Sequence, residues 1–345
     1  MRKKHQNIKR ALWLFAIAAL LCAAALPVGA KPLQRQRLLV GGIPFGVRFF
    51  TEGILVVGYC DVECGGSHHN PARAAGLCPG DCICAVNGER ADSAEQLAAH
   101  IQKSGGKEIT LSYKRENEEK SATLAPLPCD ADGRFRCGLF VRDNGAGIGT
   151  VTFIDQDTHA FGGLGHGICD GESGALVPMA RGSVMGVTIG GITKGAVGAP
   201  GELRGHFSAG KTGSLLQNTP CGVFGVFAEP PSTPAGECEI AYRSEVHDGA
   251  ACVWCTLDDN VASSYSVTLS EIHRSAKGNK CFTVKVTDPA LLARTGGIVQ
   301  GMSGSPIIQD GKLVGAVTHV LINDPTTGYG IFIENMLENM AQALG

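Results

Sequence analysis

The hydrophobic and polar positions divide the chain into many short β segments and few helices. In the first third, residues 47–50 and the run Gly53-Ile54-Leu55-Val56-Val57-Gly58 read as strands. A polar loop bearing Gly and His follows over 61–70. Residues 71–77 read as a short helix stopped by Gly76, 82–86 as a strand, and Asn87-Gly88 as a hairpin turn. A helix is expected over 93–103. Ser93 caps it, Gln96 three residues on completes a capping box, and Leu97 and Ile101 share a face. Strands at 109–113 and 122–127 flank a charged hairpin tip. Pro126-Leu127-Pro128 and Asp130-Ala131-Asp132-Gly133 then mark a linker. From Gly138 onward, short β runs at 149–154, 182–192, 221–228, 281–286 and 313–322 alternate with glycine turns. No strong helix precedes 332–344. Many short strands with few helices predict a sandwich or a barrel.

Composition sharpens this picture in three places. The net charge of −2 leaves nothing basic enough for nucleic acid away from the N-terminus. That terminus reads as a targeting segment. Arg2, Lys3, Lys4, Lys9 and Arg10 precede an uncharged apolar run over 11–26, and Pro27-Val28-Gly29-Ala30 offers a cleavage site after Ala30. A cleaved signal peptide and an N-terminal membrane anchor both fit 1–30, and either one exports residues 31–345. Cysteine is the third item. Thirteen of the 14 lie beyond the apolar run, an odd number that cannot all pair. Cys60, Cys64, His68, His69, Cys78, Cys82, Cys252 and Cys255 are candidate zinc ligands, but their spacings fit no standard zinc module. Cysteine as a small apolar residue is the leading reading, some disulfide formation in an exported chain is the next, and no metal and no cofactor are expected.

The chemistry is carried by Gly301-Met302-Ser303-Gly304-Ser305-Pro306. In the form G-x-S-G-x-P a serine sits in a tight glycine turn, and neighbouring N–H groups can converge on one oxyanion. Far upstream, Gly163-Leu164-Gly165-His166-Gly167 clamps a histidine in the same manner. Serine and histidine are the nucleophile and base of a serine hydrolase. The competing reading is two ordinary turns in a chain with 48 glycines. Pro306 and the β run after it argue against an α/β-hydrolase elbow, and the order His166 then Ser303 is the chymotrypsin order. Ser305 reads as a turn residue, His159 as solvated and His319 as structural. Spacing does not choose the acid among Asp155, Asp157, Asp170, Asp288 and Asp324.

Two resemblances extend these readings. Pro71-Ala72-Arg73-Ala74-Ala75-Gly76-Leu77-Cys78-Pro79-Gly80-Asp81-Cys82-Ile83-Cys84-Ala85-Val86-Asn87-Gly88 resembles the signature run of bacterial-type PDZ domains. It implies a PDZ domain over 31–127 that captures a peptide as an added strand, with Pro44, Phe45, Gly46 and Val47 as the carboxylate loop. The blocks around Gly147–Phe153, Phe161–His166 and Gly296–Ile308, with Gly315–Val320, Asn323-Asp324-Pro325 and Gly328-Tyr329-Gly330, resemble the stage IV sporulation protein B peptidases. That resemblance implies a mainly β chain, the PDZ domain being followed over 128–345 by a chymotrypsin-like double β-barrel serine peptidase. It also implies a triad of His166, Asp288 and Ser303, with the N–H groups of Gly301 and Ser303 as oxyanion hole. It further implies an exported endopeptidase acting between the forespore and mother-cell membranes. Its substrate would be a membrane-bound regulator of an intramembrane protease, and its cleavage would release processing of a late mother-cell sigma factor. Self-cleavage, and a PDZ ligand in the protein's own N-terminal region, belong to the same picture. The alternative is a PDZ scaffold with an inactive protease-like domain.

Overall fold

The computed structural model describes residues 35–116, 118–171 and 174–344. The targeting segment expected over 1–30 lies outside the described residues. Two strands open the fold, β1 (Arg37–Val40) and β2 (Pro44–Tyr59). The pattern of β2 explains its length. Phe45, Val47 and Phe49 face one core, while Arg48 and Phe50 lie outside it. From Ile54 to Val57 every residue is buried. Ile54 and Val56 enter one hydrophobic core, Leu55 and Val57 another. A strand covered on both faces needs such an unbroken apolar run.

The first of these cores belongs to a PDZ-like unit. Its elements are β3 (Val62–Cys64), β4 (Ser67–His69), α1 (Pro71–Ala74), β5 (Cys82–Val86), β6 (Glu89–Arg90), α2 (Ala94–Lys103), β7 (Ile109–Arg115), β8 (Glu118–Leu124), β9 (Leu127–Pro128) and β10 (Phe135–Arg136). The capping of α2 is as expected: Ser93 Oγ accepts from the Gln96 amide at 3.1 Å. Gln96 Oε1 reaches back to the amide of Asp92, one residue before the cap. Asn87 and Gly88 both hold positive φ in the β5–β6 turn. Asp81 is buried and accepts Arg115 Nε at 2.6 Å and the Cys78 amide at 2.7 Å, which locks the Pro79-Gly80 turn.

Two closed barrels follow. The first uses β2, β11 (Leu139–Ile154), β12 (Ala160–Gly163), β13 (Met179–Thr193), β14 (Glu202–Thr219) and β15 (Gly222–Phe227). Antiparallel pairing runs β2–β11–β12–β15–β14–β13 and returns to β2. Next come β16 (Glu237–Ile240), β17 (Gly249–Thr256), β18 (Ala262–Ser270), β19 (Phe282–Val286), α3 (Pro289–Thr295), β20 (Pro306–Gln309), β21 (Lys312–Leu321), β22 (Asp324–Phe332) and α4 (Ile333–Leu344). The second ring runs β17–β18–β19–β22–β21–β20 and closes on β17. β1 and β16 bridge the barrels, β1 pairing with β11 and β16, and β16 with β21. The fold is mainly β, as the pattern predicted, and the two rings are the expected double barrel.

The domain layout differs from the expected succession of 31–127 and 128–345. Residues 37–50 belong to the barrels and not to the PDZ-like unit, because the first half of β2 pairs only with first-barrel strands and β1 only with β11 and the bridging strand β16. The PDZ-like unit is an insertion between β2 and β11. Its base is closed by pairing of Leu139 with Tyr59, Phe140 with Gly58, Val141 with Val56 and Arg142 with Leu55.

This layout corrects the carboxylate loop expected at Pro44, Phe45, Gly46 and Val47. Pro44 to Val47 pair with Thr150 to Gly147 on one side. Phe45 to Val47 pair with Gly186 to Val184 on the other. With both ladders filled and Phe45 and Val47 buried, these residues have no edge to offer a peptide. The strand beside Gly53–Tyr59 that faces α2 is instead Leu139–Val141. Between it and α2 lies a cavity of about 300 Å³ lined by Leu97, Ala98, Ile101, Leu139 and Phe140. Phe140 is 55% exposed at its rim.

Candidate active site

The turn Gly301–Gly304 enters β20 and sits where the barrels meet. Gly301 and Gly304 hold φ of 95° and 93°. A Cβ on Gly304 would lie 2.0 Å from the Thr150 carbonyl oxygen, so only glycine fits there. The first barrel grips the turn through β11. Thr150 Oγ1 donates to Gly301 O at 2.8 Å, the Thr150 amide to Ser303 O at 2.9 Å, and Thr152 Oγ1 to Gly304 O at 2.8 Å. The second barrel holds it from β21, where Val317 O accepts the Gly304 amide at 2.8 Å. Within the turn the Met302 and Ser305 amides also have acceptors, in Val299 O and Met302 O. Among the described residues, no backbone carbonyl takes the N–H of Gly301 or of Ser303.

Ser303 Oγ donates to Thr318 O at 2.8 Å. The neighbouring Ser305 is fully buried, and its hydroxyl has no partner among the described residues. A substrate reaches Ser303 and not Ser305.

His166 leaves β12 through two consecutive left-handed residues, Leu164 at φ 64° and Gly165 at φ 67°. This sharp reversal carries the chain across to the second barrel. A Cβ on Gly165 would approach Thr318 Cγ2 to 2.9 Å, so Gly165 lies against the residue that receives the Ser303 hydroxyl. The rings of His166 and His319 have centroids 4.9 Å apart. Thr318 and His319 therefore bring the predicted serine and histidine into one site. His166 Nδ1 lies 2.8 Å from Gly167 O, which places the proton on Nδ1 and leaves Nε2 free as a base. Burial holds the His166 pKa below the usual histidine value, the Gly167 carbonyl opposing that shift.

Asp288 does not join them. It is the N-cap of α3: Oδ1 accepts the Ala290 and Leu291 amides at 2.9 and 3.1 Å, and Oδ2 the Ser266 amide at 3.2 Å. These backbone donors, that of Leu291 foremost, hold its carboxyl below the usual range. No carboxylate among the described residues bonds to His166. The role expected of Asp288 is thus replaced by helix capping, which the sequence Asp288-Pro289 itself encodes. Asp155 and Asp324 accept from their own turns, and Asp170 is buried beside Arg142.

Three features went unrecognised in the sequence. Thr150 and Thr152 are buried polar residues on one face of an apolar strand, the only local sign that they serve a partner. His319 comes to His166 only through barrel closure. A cleft of about 620 Å³ beside Gly301, lined by Ile148, Leu203, His206, Phe207 and Gln300, likewise joins distant segments. The thirteen described cysteines form no disulfide. Among the described residues no group of three or more His, Cys, Asp or Glu could hold a metal ion.

Two family models match the chain. The model of the SpoIVB peptidase S55 family matches residues 133–337, more than half of the chain, and a PDZ domain model matches 67–115. The zinc metalloprotease RasP of Shouchella clausii is 30% identical over 109 residues, covering 29% of this chain and 26% of its own. The chain therefore spans about a quarter of the curated relative it matches. Among solved structures, the active form of the Rv3671c protease of M. tuberculosis is 12% identical at a TM-score of 0.36, covering 58% of this chain and 74% of its own. The PDZ domain of the SdrC-like protein Lmo2051 of Listeria monocytogenes is 20% identical at a TM-score of 0.22, covering 26% and 87%.

Proposed function

The chain belongs to the SpoIVB peptidase S55 family, and from that membership and the site geometry we propose that it is an exported serine endopeptidase of spore formation with Ser303 as nucleophile and His166 as base. The observation that carries this reading is the convergence of the Ser303 hydroxyl and the His166 ring on the adjacent residues Thr318 and His319. In turnover the Ser303 hydroxyl leaves Thr318 O and gives its proton to His166 Nε2. Oγ bonds to the scissile carbonyl carbon, and the carbonyl π pair moves onto oxygen. The N–H groups of Gly301 and Ser303 receive that oxyanion. His166 then passes the proton to the leaving amine, and water repeats the sequence on the acyl-enzyme. The cleft beside Gly301 holds the substrate chain.

The groove between α2 and Leu139–Val141 takes an extended peptide as an added strand, its apolar end residue seated over Leu97 and Ile101. A membrane-bound regulator of an intramembrane protease fits as the target, with cleavage releasing a late mother-cell sigma factor. Self-cleavage, and capture of the protein's own N-terminal region, follow from the same membership. A binding-only scaffold is the second reading. It is favoured by the serine proton resting on a carbonyl and by the lack, among the described residues, of a carboxylate bonded to His166. Incubating the purified full chain beside Ser303→Ala, with mass spectrometry of fragments and a fluorophosphonate probe, tests both. Probe labelling and cleavage in the first alone are expected. A wild type that neither labels nor cleaves leaves the scaffold.

A further inference from the structure

We infer that the cleft beside Gly301 is a strand-addition subsite. The open edge of β11 at Ala146–Ile148 pairs with one arm of the substrate chain, and the side chains of Ile148 and Phe207 take an apolar residue from that arm. This rests on the reading of Ser303 and His166 as nucleophile and base.

Thr150 fixes the direction of the backbone groups on β11. Its amide donates to Ser303 O at 2.9 Å, and its carbonyl accepts the Leu164 amide at 3.2 Å. Both groups therefore point away from β2. Val151 points the other way, its amide donating to Ile43 O at 2.9 Å. Antiparallel pairing carries this alternation back along the strand. From Asn144 to Thr150 the register with β2 has no shift, so Ile148 and Ala146 turn their N–H and C=O outward as Thr150 does. The pairing of β12 with β11 reaches back only to Val151. Among the described residues no strand lies on the outward edge at Ala146–Ile148, and no loop backbone group bonds to either residue. The nucleophile turn itself sits on this edge at Thr150. The open part continues from it into the cleft, where Ala146, Gly147 and Ile148 form one wall. A chain bound at Ser303 meets these unpaired donors and acceptors next.

The rest of the cleft supplies the side-chain contact. Ile148 and Phe207 line it and are each only half-buried. Phe207 rests against bare backbone of β2: a Cβ on Gly46 would lie 2.7 Å from its Cε1. A Cβ on Gly205 would come 3.0 Å from Ile148 Cδ1, so glycine there leaves Ile148 its room. Leu203 is buried against Gly301, and the exposed Glu202, His206 and Gln300 form a polar rim. Side chains of an added strand alternate between its two faces, so every second residue turns toward Ile148 and Phe207. An apolar residue there covers the surface that the fold leaves open.

The test sets peptide cleavage against fluorophosphonate labelling in the full chain, since the probe reports Ser303 and His166 without a peptide arm. A random-sequence peptide library, read by mass spectrometry, gives the residues preferred around the cut, and kcat/KM is then measured on the best-cut peptide. Wild type should favour a large apolar residue at one fixed position. In Phe207→Ala and Ile148→Ala the ratio of kcat/KM to labelling rate should fall about tenfold, mostly through KM, and that preference should fade. Ile148→Pro removes the outward amide without breaking a bond to β2, and should lower the ratio further than Ile148→Ala. If Ile148→Pro fails to fold, the best-cut peptide is N-methylated one residue at a time, and methylation tolerated at every position overturns the strand pairing. Ratios within about twofold of wild type in both alanine variants, with an unchanged preference, overturn the proposal. So does a wild type that labels but cuts no library peptide. Absence of labelling in the wild type instead removes the peptidase reading, and this inference with it.

Discussion

Ser303 gives its hydroxyl proton to the carbonyl of Thr318, 2.8 Å away. On the proposed assignment, the bond parks the nucleophile in the site while withholding its proton from the base. Replacing Ser303 by alanine should abolish cleavage and cost about 1 kcal/mol of stability, the worth of one such hydrogen bond. Ser305→Ala should behave oppositely. Its hydroxyl is buried and unpartnered, so activity should survive and the melting temperature should hold or rise. Probe labelling with calorimetry on both variants checks the pair. An inactive Ser305→Ala beside an active Ser303→Ala would reverse the assignment.

His166→Ala should be as inactive as Ser303→Ala. Because burial lowers the pKa of His166, its neutral form prevails at pH 7. The labelling rate should rise with pH through a midpoint below about 6.5, the ordinary histidine value, and then level off. A midpoint above that value would contradict the buried setting of the base.

Stability should follow the same pair of rings. His166 and His319 are both held below the ordinary histidine pKa, His319 at about 4. As the pH drops, the unfolded chain takes up protons there that the folded protein refuses. Their contribution is complete above about 6.5 and is lost as the pH falls toward 4. Melting curves at pH 7, 6, 5 and 4 should show the decline. His319→Asn should flatten it, and an identical slope in that variant would refute the linkage.

Asp288→Asn should retain most labelling activity, because asparagine caps a helix nearly as well as aspartate. Asp288→Ala should lose about 1 kcal/mol. Were the carboxylate part of the proton relay, Asp288→Asn would fall by orders of magnitude with its stability intact. Comparing labelling rate with melting temperature for the two variants separates these cases.

Removing the PDZ-like unit should depend on where the chain is cut. A protein beginning at Cys129 lacks β1 and β2, opens the first barrel, and should neither fold nor label. Excising 60–138 and joining Tyr59 to Leu139 by a short glycine turn retains every barrel strand, since those two residues already pair. With Ile54 and Val56 changed to threonine to suit their new exposure, that protein should label at Ser303. Folding of the truncated form would show that the first barrel does not need β2.

The turn carrying Ser303, the helix over 93–103 and the mainly β character were legible because each rests on local chemistry: a glycine turn, a cap, a run of short strands; the choice of a double barrel over a sandwich came from the family resemblance. Asp288 before Pro289 carries the local signature of a helix N-cap, which is the role it fills. The peptide groove was not legible. Pro44–Val47 and Leu139–Val141 are both apolar segments beside glycine, and only pairing tells which of them lies along α2. His166 and His319 each look ordinary, one in a turn and one in a strand. Their contact is made by the closing of two rings.

The insertion of one domain between β2 and β11 also bears on the order in which the protein assembles. A chain synthesised from its N-terminus presents β2 long before β11 exists. Left open, an intervening loop of that length would charge its closure entropy to the first barrel. The PDZ-like unit has its own hydrophobic core and mostly short-range strand pairings. Once it folds around Ile54 and Val56, it carries Leu139–Arg142 into register with Leu55–Tyr59. The rest of β11 then has only to zip along β2 toward Thr150. The recognition module is thereby also a splint, and an error in its folding would reach the nucleophile turn through misregister of that strand.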